Sequence, residues 1–90
     1  MGLDSVELLM AVEETFQISI SEKEASEIFT VGDFYNVILQ KLDQRSSQAG
    51  KLWNNEEVWK VLRSVIIHQL GVKPEEVTKE ARIVQDLGAD

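Results

Sequence analysis

Few residues of this chain could do chemistry: one histidine, His68, three adjacent carboxylate pairs (Glu13/Glu14, Glu56/Glu57, Glu75/Glu76), and one hydroxyl beside an acid, Asp4-Ser5. General acid-base catalysis needs carboxyls that converge in a cleft with separated pKa values. Neighbours on a helix diverge, so the three pairs read as solvated faces. A single histidine with no cysteine gives neither a metal set nor a nucleophile–base pair, and His68 reads as a surface residue. Asp4-Ser5 opens an acidic helix, where a hydroxyl can simply cap the helix or stand ready for modification. The chain is therefore not expected to be an enzyme.

The elements that must position these residues are helical. In LDSVELLMAVEETF, Val6, Leu9, Val12 and Phe16 recur at three- and four-residue steps and predict one buried stripe, with Glu7, Met10, Glu13 and Glu14 off it. Ile18 and Ile20 alternate as a short extended stretch. Ser21 with Glu24 predicts a capping box for a short helix. Thr30 with Asp33 opens the next, with Phe29 and Phe34 spaced as a hydrophobic staple and Phe34, Val37, Ile38 and Leu42 inward. Residues 44–54 lose the period and gather Ser, Gln and Gly, the composition of a linker. Asn54 and Glu57 then form a start signal, with Trp53 and Val58 spaced to staple. A helix over 55–70 buries Val58, Leu62, Val65, Ile66 and Leu70 and ends at Gly71. The tail is a loop with one turn at Pro74, anchored by Val72, Val77, Ala81, Ile83, Val84 and Leu87. Neither half can cover its own apolar stripe, so the two together predict a single all-α domain, a four-helix bundle.

Ninety residues with 43% hydrophobic content suit one small folded domain. The absence of cysteine removes disulfides and thiol chemistry. No apolar run reaches membrane-spanning length, the opening residues do not read as a charged-then-apolar leader, and Val6 stands where a myristoylation signal wants Ser or Thr. A cytoplasmic protein is expected. The net charge of −7 is uneven: residues 1–50 hold nine acids against three bases, and residues 51–90 seven against six. Such a surface repels nucleic acid and anionic lipid and suits a basic protein partner.

Read with its halves exchanged, residues 55–90 before residues 2–43, the sequence closely resembles an acyl carrier protein. QLGVKPEEVT, VQDLGAD, VELLMAVEE, ISEKEASEI and TVGD carry the resemblance, which covers about eighty of the ninety residues. The order departs from the family's, which implies a circularly permuted carrier with its old termini joined by residues 44–54. At roughly 3.3–3.6 Å per residue that segment is long enough for the ends of a small bundle. The resemblance implies that a serine after Leu-Gly-x-Asp carries 4′-phosphopantetheine, whose thiol holds an acyl thioester. Aligned without gaps on VELLMAVEE, the family's serine falls on Gly2; aligned on GLDSV, it falls on Ser5, flanked by Asp4. Both registers stay open, and Ser5 is the candidate attachment site.

The resemblance further implies a phosphopantetheinyl transferase and acyl-transferring enzymes of fatty-acid or polyketide-type synthesis as partners. Their basic patches would meet a docking face of Leu3, Glu7, Met10, Glu13 and Glu14. The alternative is a non-carrying acidic helical interaction module derived from the carrier fold. A monomer is expected, with a half-exchanged dimer as the structural alternative.

Overall fold

Helix α1 (Leu3–Phe16) shows why these residues fold as they do, and corrects the predicted face. The buried stripe is Ser5, Leu8, Val12 and Phe16, whereas Val6 is 38% exposed and Leu9 half-buried. From residue 5 to 16 an ideal helix turns about 1,100°, within ~20° of three full turns. From 6 to 16 it turns about 1,000°, ~80° short, so the Val6 stripe drifts off the core. The two patterns share Val12 and Phe16, and the straighter one wins. Gln17 takes a left-handed φ of 58° and stops the helix. Its side-chain amide donates to the Glu14 carbonyl at 2.8 Å, and the Ile18 N–H to the Glu13 carbonyl at 3.0 Å.

The computed structural model describes residues 3–45 and 53–88, with side chains for 5–44 and 53–88. Gly2 and Asp90, at the chain ends, lie outside these residues, as does the middle of the predicted linker. After α1 come α2 (Glu22–Ser26), α3 (Val31–Arg45), α4 (Asn55–Leu70) and a short 3-10 turn, Pro74–Glu76. The chain is all-helical: among the described residues the one strand-like pairing is an isolated bridge between Thr30 and Arg82.

The expected capping boxes are present. The Glu24 N–H donates to Ser21 Oγ at 3.2 Å and the Ser21 N–H to Glu24 at 3.0 Å. Lys41, 2.8 Å from Glu24, together with the Ser21 N–H, holds that carboxyl at about 2. At α4 the Glu57 N–H donates to Asn54 Oδ1 at 2.8 Å, and Gly71 closes the helix at φ 68°. Trp53 stacks at a tilt on Phe16, ring centroids 4.9 Å apart, fastening the entry of α4 to the end of α1. The most extensive helix packing is α1 on α4, followed by α3 on α4. Between them lie Val12, Phe16, Ile38, Val58, Leu62 and Ile66, all buried.

The tail, residues 72–88, is a strap rather than a free loop. The Val31 N–H donates to the Ala81 carbonyl at 3.0 Å, the Gly32 N–H to the Lys79 carbonyl at 2.9 Å, and the Ile83 N–H to the Phe29 carbonyl at 2.9 Å. Two of the orphan amides at the start of α3 are thus satisfied by the strap. Gly32 is small for a reason: a Cβ there would stand 3.0 Å from the Lys79 oxygen. Val77, Ala81, Ile83 and Leu87 are buried as predicted, but Val84 is 48% exposed. Phe29 is 68% exposed. The strap occupies the entry to α3, and Phe29 lies at the mouth of the cavity described next.

Candidate functional site

Five segments converge on one cavity of about 540 Å³. Helix α1 contributes Ser5, Leu8 and Leu9; α2 contributes Ala25 and Ser26; the link to α3 contributes Ile28 and Phe29. Phe34 of α3 and Ile83 and Val84 of the strap complete the lining. The volume lies in the range of small-molecule sites, and the lining is mostly apolar, with two hydroxyls. Ser26 Oγ donates to the Lys23 carbonyl at 2.7 Å, which leaves it an acceptor inside α2's own turn. Phe29 and Val84 are exposed apolar residues at the cavity's edge, where an entering apolar group would meet them.

Ser5 is the sequence-predicted site residue that the cavity contains. It is only 7% exposed, on the inward stripe three residues before Leu8. The expectation of an exposed hydroxyl at the helix start is corrected here: α1 begins at Leu3, so Ser5 lies inside the first turn and faces the core. The backbone of Leu3 and Asp4 is helical, but their side chains, like Gly2, fall outside the described residues.

The remaining predicted docking residues divide. Glu7, Glu14 and Met10 are exposed on the outer face of α1, Met10 by 59%, and Val6 joins them. Glu13 is half-buried, and its Oε2 accepts the Ile20 N–H at 2.8 Å, so it holds the turn after α1 in place. His68 is exposed and lines a different, shallower groove between α1 and α4 with Ala11, Thr15 and Lys60. Ser5 and His68 therefore line different pockets. Of the carboxylate pairs, Glu57 and Glu76 serve as caps, the latter accepting the Lys73 N–H at 2.9 Å.

Asp33 accepts the N–H groups of Thr30 and Phe29, both at 3.1 Å, and these bonds hold its carboxyl below the usual aspartate range. The same residue thus fixes the start of α3 and the backbone of Phe29 at the cavity mouth. Sequence reasoning did not assign the cavity-lining role of Leu8, Ala25, Ser26, Ile28 and Phe29. The available signal was the straight 5–8–12–16 stripe, which places Leu8 and Ser5 inward together.

Two relatives bear on this geometry. Over 40 residues the chain is 51% identical to an acyl carrier protein of Picosynechococcus sp., which covers 44% of this chain and 49% of that protein. Over 37 residues it is 53% identical to a mitochondrial protein of Schizosaccharomyces pombe named as an acyl carrier protein, covering 41% of this chain and 33% of that one. The chain thus spans about half the length of the first and a third of the second. No protein-family model matches it, and no solved structure does. Over the matched stretch the chain is related to acyl carrier proteins. These relatives are carriers rather than enzymes. Among the described residues, no helix is long and apolar enough to cross a membrane.

Proposed function

We propose that this domain is an acyl carrier that shelters a fatty acyl chain in the cavity between α1, α2, α3 and the strap and delivers it to acyl-transferring enzymes of fatty-acid or polyketide-type synthesis. The observation that carries this reading is the apolar cavity of about 540 Å³ with Ser5 in its wall. Residues 55–88 and 3–43 complete one carrier-like bundle in the reverse of the family's order. The packing of α1 on α4, and the meeting of Ser5 with Ile83 and Val84 at one cavity, support that arrangement. Glu7, Met10 and Glu14, with Leu3, form the face that meets basic partners, and the setting is cytoplasmic.

Ser5 is the proposed attachment point for 4′-phosphopantetheine, a group that would supply a thiol for the acyl thioester. As packed, Ser5 does not fit it: its hydroxyl is 7% exposed and faces a mostly apolar cavity, which does not suit a charged phosphodiester. The first turn of a helix is where local opening is easiest, so modification at Ser5 requires that turn to fray. The nearby helix N-terminus favours an incoming phosphate once it does. Slow, partial modification is the expected outcome.

The test is intact-mass measurement after incubation with coenzyme A and a broad-specificity phosphopantetheinyl transferase. A partial mass gain mapped to Ser5 and abolished by Ser5→Ala supports the carrier. A gain mapped to Ser21 would refute the site. Absence of any gain, with the fold intact, would favour the non-carrying interaction module.

A further inference from the structure

Lys79 sits in the middle of the strap and uses both its ends. Its carbonyl accepts the Gly32 N–H at 2.9 Å at the start of α3. Its ammonium lies over two rings, 5.2 Å from the centroid of Tyr35 on α3 and 5.6 Å from that of Trp59 on α4. Those rings meet edge to face at 5.5 Å, and the Tyr35 hydroxyl donates to the Asn55 carbonyl at 3.1 Å, which fixes the pair as a platform. A cation over two aromatic faces is held by both ring quadrupoles. Four residues further on, the same strap supplies Ile83 and Val84 to the cavity wall.

We propose that Lys79 is the latch of a gate. Release of its ammonium from the Tyr35–Trp59 platform lets residues 79–84 lift from α3 and opens the cavity on the strap side. The reading rests on the cavity as the acyl site and adds how entry to it is controlled. The strap is suited to such motion. Between its buried anchors, Val77 and Leu87, three backbone bonds tie it to residues 29–32, and Lys79, Glu80, Arg82 and Val84 are exposed. Between those anchors it has no helix or sheet of its own, and Ala81 and Ile83 are its two buried side chains, so few contacts set the cost of its opening. Without the cation the ties remain, but each opening costs less.

The experiment compares wild type, Lys79→Gln and Lys79→Arg. Amide hydrogen exchange is followed at Val31, Gly32 and Ile83, with Leu62 in the core of α4 as the global control. Removing the cation should speed exchange at the three strap amides by about two- to thirtyfold, the range for one or two exposed cation–π contacts. Leu62 should change less. Entry of the apolar fluorophore N-phenyl-1-naphthylamine, measured by stopped flow, should accelerate in parallel. Lys79→Arg keeps a cation over the rings and should match wild type. Unchanged strap exchange in Lys79→Gln, or Lys79→Arg behaving like it, overturns the latch. Faster exchange without faster probe entry overturns the gate. Failure of the probe to bind even the wild type would instead sink the cavity as an apolar-ligand site, while exchange still judges the latch.

Discussion

Replacing Leu8 with Ala and, separately, Val6 with Ala tests which face of α1 is buried, and with it the inward position of Ser5. Leu8 is 1% exposed and packs with the core, while Val6 is 38% exposed. Leu→Ala in a packed interior costs about 2.7–5.0 kcal/mol, depending on the cavity left behind. Leu8 already borders a cavity, so part of its surface has no partner to lose, and about 3 kcal/mol is expected. Val6→Ala should stay within ~0.5 kcal/mol, as for surface substitutions. A 90-residue domain has roughly 5–13 kcal/mol at about 0.05–0.15 per residue, so Leu8→Ala leaves a folded but weakened protein. At about 4–8 °C per kcal/mol, its melting temperature should fall by roughly 12–24 °C. Urea titration read by far-ultraviolet circular dichroism, paired with thermal melts, measures both. Equal costs, or a larger cost at Val6, would refute the 5–8–12–16 stripe and turn Ser5 outward.

Asp33→Asn should flatten the acid limb of stability. The folded carboxyl is held below its unfolded range by the Thr30 and Phe29 amides, so its contribution is present above about pH 4 and is lost as pH falls through the folded value. Asp33 is half-buried at a helix start, so the variant should lose about 1 kcal/mol at pH 7 and progressively less as pH falls through the folded value. Identical pH profiles for variant and wild type would remove Asp33 as the cap. The two neighbouring glutamates should separate in their effects. Glu13→Ala should cost about 1 kcal/mol by releasing the Ile20 amide, visible in thermal melts. Glu14→Lys should leave the melt unchanged within ~0.5 kcal/mol but slow association with a basic partner such as the transferase, most at low salt. A Glu14→Lys variant that binds as fast as wild type would remove Glu14 from the docking face.

Local signals were legible wherever the physics is local. Ser21 with Glu24, Thr30 with Asp33, Asn54 with Glu57 and the terminator Gly71 each act within four residues, and each was readable from residue type and spacing. The acidic bias of the first half, and the resemblance spread over QLGVKPEEVT, VQDLGAD and VELLMAVEE, also need no structure. What tertiary structure decided was every question of which side faces what. Two stripes on α1 share Val12 and Phe16, and the packed bundle buries the one that holds Ser5 and Leu8 and leaves Val6 38% exposed. The strap has no period to read, because its order comes from amides of residues 31, 32 and 83 bonding across some fifty positions of chain. The placement of Lys79 over Tyr35 and Trp59 is likewise a meeting of three distant segments, and the cavity is a meeting of five. Spacing along a chain encodes neighbours within a turn or two, and contacts between elements exist only once the elements have packed.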